Sequence, residues 1–319
     1  MVETWQAVKE PRAGLRGRDL VTIRDLDAHE MRTVLSFATE LKQRSEEGDR
    51  PPLLAGKVLA LLFEKPSLRT HVTFETAMFH LGGHGLYLDT LGVGMGTRES
   101  YPDIGRNLER WVDGVAVRTF AHANVTTLAA HARVPVINAL SDWEHPCQAL
   151  AALLTIEERC GRLNGVQIAW IGDGNNVLRS LLLGAVRLGV SLAIATPPGY
   201  ELDPQTIETA RRSATAGASV EVTDDPVRAV RDADLVYTDV WASMGQEAEA
   251  EVRRRTFARY QVNAALLAHA PRHALVSHCL PAHRGDEITD EVLDGPRAVA
   301  FDEAENRLHV QKSLLALAL

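Results

Sequence analysis

Short, nearly continuous apolar runs alternate with longer stretches of helical periodicity along this 319-residue chain. A strand with one face in water alternates apolar and polar residues, whereas a parallel strand covered by helices on both faces does not. The runs, which predict buried parallel strands, lie at 57–63, 114–119, 135–140, 166–172, 191–196, 235–240 and 274–279. The helical patterns lie at 27–47, 68–81, 124–132, 145–160, 176–188, 204–216, 247–260 and near the end of the chain. This alternation predicts an α/β fold with right-handed crossovers.

The length predicts two domains, since one domain commonly has about 100–200 residues. After the helical pattern at 145–160, the segment "GRLNG" restarts the alternation with a new strand. We therefore expect residues 1–150 to form one domain and residues 151–303 to form a second. The last helix, at about 304–319, is expected to join the first domain. Each domain is predicted to contain a parallel β-sheet flanked by helices.

The composition excludes several classes of protein. The net charge of −8 argues against non-specific binding to nucleic acids, which needs a large basic surface. Three cysteines without a C-x-x-C pair are a poor disulfide framework. No run approaches the roughly 18 apolar residues of a membrane-spanning helix, and the first residues lack the apolar core of a signal peptide. These features predict a cytoplasmic protein in a reducing compartment.

The stretch "EKPSLRT" (64–70) places cations and hydroxyl groups where a predicted strand gives way to a predicted helix. The Ser67 hydroxyl can cap that helix, which leaves other backbone N–H groups of the first turn available for a phosphate. Arg69 can add a bidentate clamp, and Thr70 can add a further donor. The stretch lacks the spacing of a P-loop. Taken alone, it also fits an ordinary capped helix with exposed charges.

Chemically reactive side chains recur at the ends of successive predicted strands. Arg118 ends the second run, and "SDWEHPCQ" (141–148) follows the third. "GDGNN" (172–176) and Asp239 end two later runs, and Cys279 ends the last one. Ligands of open α/β sheets bind outside the carboxyl ends of the strands. The pattern therefore predicts a composite active site, because a chance distribution would place many of these residues at the opposite ends.

The motifs "SLRT", "HPCQAL", "DVWASMGQE" and "HCLPAHRG" occur in this order, and together they resemble the aspartate/ornithine carbamoyltransferase family. The resemblance extends from about residue 20 to the end and is closest to the ornithine-specific members. It implies two α/β domains, one for carbamoyl phosphate and one for the amino acid, with the active site between them. Such enzymes transfer the carbamoyl group to the side-chain amine of L-ornithine, giving L-citrulline and phosphate in arginine metabolism. The resemblance also implies trimers or assemblies of trimers and no metal or organic cofactor.

The resemblance further implies a set of site residues. Those that surround or hold carbamoyl phosphate would be Ser67, Leu68, Arg69, Thr70, Arg118, His145, Gln148, Cys279, Leu280 and Arg307. Those that hold ornithine would be Asn176, Asp239, Ser243 and Met244. Catalytic roles fall to Asp239, Cys279, Arg118 and His145, which would orient the amine, accept its proton and stabilise the charge on the carbonyl oxygen.

Two positions depart from the family pattern. Leu68 stands where a threonine is common, so a side-chain hydroxyl contact is lost, although the backbone N–H is kept. Gly94 stands where many members have a glutamine or histidine that reaches the pocket of a neighbouring subunit. If this intersubunit contact is made at all, another residue of the same loop must supply it, and Arg98 is the candidate.

Other interpretations stay open from the sequence. The acceptor can be another amine, such as putrescine or an N-acylornithine, or the chain can be a catalytically silent binding module on the same fold. The main polar residues are all present, which counts against a silent module. Single residues also have structural interpretations, Cys279 as a buried thiol and Asn176 as a helix cap. His278 and His283 flank Cys279 without a zinc-binding spacing, so no metal site is expected. "GDGNN" lacks the dinucleotide-binding fingerprint, so no NAD is expected.

Overall fold

The computed structural model describes residues 14–90, 94–215, 217–242 and 247–319. These residues contain two parallel β-sheets. The strands are β1 (Val58–Phe63), β2 (His84–Asp89), β3 (Gly114–Arg118), β4 (Val136–Leu140), β5 (Gln167–Ile171), β6 (Ser191–Ala195), β7 (Val220–Thr223), β8 (Leu235–Thr238) and β9 (Leu275–His278). The first sheet has the order β2-β1-β3-β4, and the second has the order β7-β6-β5-β8-β9. The predicted α/β class is confirmed.

Helices connect the strands. In the described residues they are Ala28–Glu46, Leu68–His80, Tyr101–Leu108, His122–His131, Pro146–Cys160, Asn176–Ala185, Pro204–Ser213, Pro226–Val230, Ala250–Phe257, Ala264–Leu267, Asp290–Leu293 and Ala300–Ala318. Side chains that bind backbone N–H groups start several of them. Asp27 forms a capping box with Glu30, for example, and Asp203 caps the helix that begins at Pro204.

The chain divides into two compact units. The first unit comprises the residues up to Leu150 together with Arg307–Leu319, and the second unit comprises Ala151–Asn306. Each unit has its own core of buried apolar side chains. In the first, alternate residues of β1 and β3 pack against the helices Tyr101–Leu108 and His122–His131. In the second, β5, β6 and β8 contribute the equivalent residues.

Each of the predicted strands forms, but β2 and β7 were not predicted. Both are edge strands, because each is the terminal member of its sheet. β2 is exposed or half-buried along its whole length, and β7 has four residues that alternate polar and apolar. An edge strand with a wet face carries no continuous apolar run, so the pattern that identified the central strands was absent here. The four short helices at Tyr101, Pro226, Ala264 and Asp290 were also not predicted.

Two further observations concern the chain as a whole. No helix among the described residues is long and apolar enough to cross a membrane. None of the three cysteines forms a disulfide, although Cys147 and Cys279 are buried.

Lys312 is a fully buried cation in the first unit. Its amine donates to the Leu41 carbonyl at 3.1 Å and to the Ser45 hydroxyl at 2.5 Å, so it fastens the last helix to the helix Ala28–Glu46. Burial, reinforced by the nearby Arg50 guanidinium, lowers the pKa of Lys312 to about 8. The amine therefore binds its proton less tightly in the folded protein than in the unfolded chain.

We expect the free energy of unfolding to rise with pH above pH 8. Below pH 8 the amine is charged in both states, so the full penalty for burying the charge is present. Between about pH 8 and 10.5 only the unfolded chain keeps the proton, which favours the folded state by about 1–2 kcal/mol after solvent screening. Chemical denaturation across this range should reveal the rise in the wild type and its loss in Lys312→Met. The control Lys57→Met, at a partly exposed lysine, should keep the rise; equal pH dependence in all three proteins would contradict this assignment.

Candidate active site

The first turn of the helix Leu68–His80 forms a polar nest at the end of β1. Ser67 is the N-cap, and its hydroxyl oxygen accepts the backbone N–H of Thr70 at 3.2 Å. The Leu68 side chain is 77% exposed, so only its backbone can contribute to the nest. The positive end of the helix dipole and the N–H groups of the first turn make this position suitable for an anion.

Three arginines surround this nest. Arg307 donates to the Thr70 hydroxyl at 2.7 Å, and Arg118 ends β3, the strand next to β1 in the sheet. Burial, together with the charges of Arg307 and Arg69, lowers the pKa of Arg118 to about 10. A guanidinium keeps its charge under ordinary conditions, so Arg118 carries a positive charge that is both buried and close to two further positive charges.

Glu64 holds the ends of β1 and β3 together beside the nest. Its backbone N–H donates to the Arg118 carbonyl at 2.8 Å, and its carboxylate accepts the Phe120 N–H at 2.8 Å. The same carboxylate accepts the hydroxyls of Tyr101 and Thr119. Because these contacts involve Arg118 itself and the two residues that follow it, they position the strand end that carries this guanidinium.

His145 and Gln148 are buried at the start of the helix Pro146–Cys160. Burial lowers the pKa of His145 well below its usual value, and the positive charges of Arg307, Arg118 and Arg69 lower it further. The imidazole is therefore neutral near pH 7, with one nitrogen able to donate a hydrogen bond. The first unit thus brings Ser67, Arg69, Thr70, Arg118, His145 and Arg307 into one polar region. Gln148 is buried in the first turn of the helix that follows His145.

This arrangement can bind a doubly charged phosphate. Three guanidinium groups supply the charge, and the capped helix supplies oriented N–H donors. A neutral imidazole can in addition donate to an uncharged or developing oxyanion, as the fixed donors of an oxyanion hole do. The nest therefore suits a phosphate joined to a reactive carbonyl better than a simple structural ion.

The second unit contains a carboxylate site built around Asp239, which directly follows β8. One Asp239 oxygen accepts the Cys279 thiol at 2.8 Å and the Val240 N–H at 2.8 Å. The other accepts the Asn175 amide at 2.6 Å. Asp239 and Cys279 are both buried, and they lie at the ends of the neighbouring strands β8 and β9. The carboxylate is therefore held rigidly, in an orientation that a bound cation or amine can use.

The structure corrects one interpretation of Asn176. The N-cap of the helix Asn176–Ala185 is Asn175, whose side-chain oxygen accepts the N–H groups of Val177 and Leu178 at 3.0 and 3.1 Å. Asn176 is the first residue inside the helix and does not cap it. The two asparagines are adjacent, and the sequence alone does not tell which of them is the cap.

Leu280, another predicted residue, also lies in the second unit. Leu280 follows Cys279 with a left-handed backbone (φ 55°), which a leucine rarely adopts. Its N–H donates to the His278 Nδ1 at 2.8 Å, and strained backbone of this kind is often found at functional sites. Ser243 and Met244 lie outside the described residues.

Asp239, His278 and Cys279 offer ligand atoms within 4.8 Å of one another, as a metal site would. Both nitrogens of His278 are engaged, however. Nδ1 accepts the Leu280 N–H, which puts the ring proton on Nε2, and Nε2 contacts the buried Glu287 carboxylate at 2.9 Å. Metal binding by this imidazole would have to break one of these contacts, so the geometry does not favour a metal here.

Asn175 and Glu64 were not predicted as site residues. An asparagine before a helical pattern is a common N-cap, so the sequence offers both Asn175 and Asn176 as candidate caps without deciding between them. Glu64 acts through contacts with residues 37 to 56 positions further along the chain, and no local pattern identifies such contacts.

Gly94 adopts a left-handed backbone (φ +69°), and a Cβ there would lie 2.7 Å from the Arg98 Cβ. Its carbonyl accepts the N–H groups of Thr97 and Arg98 at 3.1 and 2.7 Å. The tight turn at this position therefore explains why the residue is a glycine. Arg98 is exposed on that turn.

Comparisons with known proteins cover nearly the whole chain. The carbamoyl-P binding domain of the aspartate/ornithine carbamoyltransferases matches residues 18–158, and the Asp/Orn binding domain of the same family matches residues 164–318. A Pyrococcus horikoshii protein named ornithine carbamoyltransferase is 51% identical over 306 residues, which are 96% of each chain. A Pyrococcus furiosus protein named anabolic ornithine carbamoyltransferase is 50% identical over 96% of this chain and 97% of its own. The solved structure of ornithine carbamoyltransferase from Pyrococcus furiosus superposes with a TM-score of 0.93 at 50% identity, covering 96% of this chain and 98% of that chain.

The nest geometry predicts that Arg69→Ala weakens the binding of inorganic phosphate by about 10- to 100-fold, the effect of losing one charge-assisted contact of about 1.5–3 kcal/mol. Isothermal titration calorimetry with phosphate measures this effect, and circular dichroism checks that the fold is kept. Arg106→Ala is the matched control, because Arg106 is an exposed arginine in an ion pair with Asp103. Equal phosphate affinity in Arg69→Ala and the wild type would show that Arg69 is not part of a phosphate site.

Proposed function

The chain belongs to the aspartate/ornithine carbamoyltransferase family, and we propose that it transfers the carbamoyl group of carbamoyl phosphate to the side-chain amine of L-ornithine, giving L-citrulline and phosphate. The observation that carries this proposal is that Arg69, Arg118 and Arg307 surround both the buried His145 and the capped N-terminus of the helix Leu68–His80. Relatives of about 50% identity that carry the name ornithine carbamoyltransferase support the choice of substrates.

In the proposed reaction, the nest of the first unit binds the phosphate of carbamoyl phosphate. Arg69, Arg118 and Arg307 stabilise the charge that develops on the phosphate as it leaves. His145 donates to the carbonyl oxygen, which becomes negatively charged in the tetrahedral intermediate. Gln148 lies one helical turn further along and is proposed to contact the carbamoyl group. We further propose that the carbamoyl group contacts Cys279 and the backbone of Leu280.

The amine must be neutral before it can attack the carbonyl carbon. A primary alkylamine has a pKa near 10, so most of it arrives protonated at neutral pH. Asp239 is the proposed group that orients the amine and accepts its proton, with the Cys279 thiol hydrogen-bonded to the same carboxylate oxygen. The proposal assigns Asn176, Ser243 and Met244 to the rest of the ornithine molecule.

Two other functions are compatible with this fold. A related enzyme for putrescine or an N-acylornithine would need a site that does not bind the free α-amino and α-carboxylate groups. A catalytically silent module would be expected to lack polar site residues, whereas the first unit retains its arginines and the second its Asp239–Cys279 pair. Neither alternative has a specific observation in its favour.

The wider assignments are proposals as well. Citrulline formation places the reaction in arginine biosynthesis, and a relative whose name includes "anabolic" supports that direction. A cytoplasmic location agrees with the absence of disulfides. We propose that residues 1–150 with the last helix form the carbamoyl phosphate domain and residues 151–303 form the ornithine domain. The two compact units of the chain support this division, since Arg307–Leu319 belongs to the first unit, whereas the Asp/Orn binding domain of the family matches residues 164–318 and so includes the last helix.

An exposed apolar face supports the proposed homotrimer. On the helix Leu68–His80, the side chains of Leu68, Val72 and Phe79 lie on one side at helical spacing and are exposed. Leu86 and Tyr87 of the edge strand β2, which packs against this helix, are exposed too. Contiguous apolar surface and an open sheet edge are features of protein interfaces. We propose that neighbouring copies of the chain cover this face and that Arg98 extends towards a neighbouring subunit.

The acceptor assay tests the reaction. With carbamoyl phosphate, the purified protein should form citrulline from ornithine with a kcat/KM more than about 100-fold above that for putrescine or N-acetylornithine, since a site built for polar groups rejects analogues that lack them. Asp239→Asn should retain the fold and lose most of this activity. Turnover that favours putrescine would replace the substrate assignment, and no turnover with any amine would favour the silent module.

The assembly has its own test, because Phe79 is 72% exposed and can be changed without affecting the core. Light scattering coupled to size exclusion should give the wild type a mass of three times 34.9 kDa or a multiple of that mass. Phe79→Glu should give a smaller species, because a carboxylate would be buried at the interface without a partner. Trp111→Glu is the control, since Trp111 is 69% exposed outside this face. A wild-type monomer, or an unchanged assembly in Phe79→Glu, would contradict the proposal.

A further inference from the structure

Arg253 is a buried cation in the second unit that the reaction described above does not use. It lies on the helix Ala250–Phe257, and its guanidinium donates to the Trp241 carbonyl at 2.7 Å. The same group contacts an Asp173 carboxylate oxygen at 3.2 Å and the exposed Glu249 carboxylate at 2.9 Å. Its planar face lies 4.9 Å from the centre of the Tyr200 ring. A side chain with this many partners is held in one orientation.

The contacts of Arg253 lie on both segments that build the Asp239 site. Trp241 follows Asp239 by two residues, and Asp173 precedes Asn175 by two residues. Asn175 and Asp239 are joined by the hydrogen bond of 2.6 Å. Arg253 and the Asn175 amide therefore each connect the two loops, Arg253 through Asp173 and Trp241 and Asn175 through Asp239.

Asp173 is anchored on its other side as well. Its carbonyl accepts the indole N–H of Trp170 at 3.0 Å, and Trp170 lies in β5, next to β8 in the sheet. The aspartate thus occupies a fixed position at the end of β5. Its carboxylate is buried, and Arg253 is the positively charged group that faces it.

We propose that Asp173 and Arg253 are a positioning pair for the ornithine site, which hold the loop of Asn175 and the backbone after Asp239 in the arrangement that orients the Asp239 carboxylate. This inference rests on the proposed function, since it assigns the binding of ornithine to Asp239. Neither residue is assigned contact with the reacting atoms. Their effect is on how well Asp239 and Asn175 are placed for the amine.

The charge of Asp173 makes the pair sensitive to pH. Burial raises the pKa of Asp173 to about 6, the Arg253 charge opposes this shift, and the carboxylates of Asp239 and Glu249 add to it. As the pH falls through about 6, Asp173 gains a proton and the ion pair with Arg253 loses its negative partner. Positioning is therefore strongest above pH 6 and weakens in mild acid.

The test measures steady-state kinetics between pH 5 and 8 with carbamoyl phosphate at saturation. In the wild type, kcat/KM for ornithine should decrease as the pH falls through about 6. Asp173→Asn, which is the same size and uncharged, should raise the ornithine KM by about 10-fold at pH 8 and remove this acid limb. Arg253→Lys keeps the charge and loses the planar fork, and it should raise the ornithine KM similarly. In both variants the KM for carbamoyl phosphate should stay within about twofold.

Arg254→Lys is the matched control, because Arg254 is the next residue, is exposed, and pairs with Asp286. It should behave as the wild type does. An unchanged ornithine KM in both variants, an acid limb that persists in Asp173→Asn, or an equal rise in the KM of both substrates would overturn the inference. If neither variant folds, the wild-type pH profile decides, since the absence of a limb near pH 6 would also overturn it. Citrulline formation by the wild type reports separately on the proposed function.

Discussion

Repulsion between like charges is the physical constraint on which the first unit depends. Burial lowers the pKa values of Arg118 and His145, and the charges of the neighbouring arginines lower them further. Arg118 and Arg307 are buried, so little water screens their charges, whereas Arg69 is half-buried. The hydrogen bonds of Thr70 and Glu64 fix the elements on which these groups stand. An anion that enters the nest therefore relieves an unfavourable interaction that folding has already imposed, so much of the affinity for phosphate is prepared before the ligand arrives.

The second unit has the opposite charge at its site, where the buried Asp239 carboxylate is held by uncharged donors. Asp239 receives an amide, a thiol and a backbone N–H, all of which are uncharged donors. They hold the carboxylate without neutralising it, so its negative charge remains for an incoming amine. The guanidinium of Arg253, which lies near this site, is directed to Asp173 and to a backbone carbonyl instead. Because Arg253 pairs with Asp173 and not with Asp239, the Asp239 carboxylate is not one half of an ion pair with this arginine.

Much of this architecture could be predicted from the sequence, because central parallel strands and their reactive carboxyl ends leave local patterns. The runs that became β3, β8 and β9 could be identified from the sequence, and Arg118, Asp239 and Cys279 stand at their ends. What escaped prediction depends on contacts between distant segments or on weak local signals. The edge strands β2 and β7 lack the apolar run, the choice between Asn175 and Asn176 as cap needs backbone geometry, and the Asp173–Arg253 pair joins residues 80 positions apart in the sequence.

The left-handed turn at Gly94 also restricts which amino-acid substitutions this position can accept during evolution. Any other residue at this position would have to adopt an unfavourable backbone and would crowd the Arg98 side chain. A single substitution that introduces glutamine or histidine here would consequently disturb the turn before it could reach a partner. Glutamine or histidine can therefore replace Gly94 without strain only after other substitutions have changed the loop conformation. A sequence with this turn consequently tends to keep its glycine.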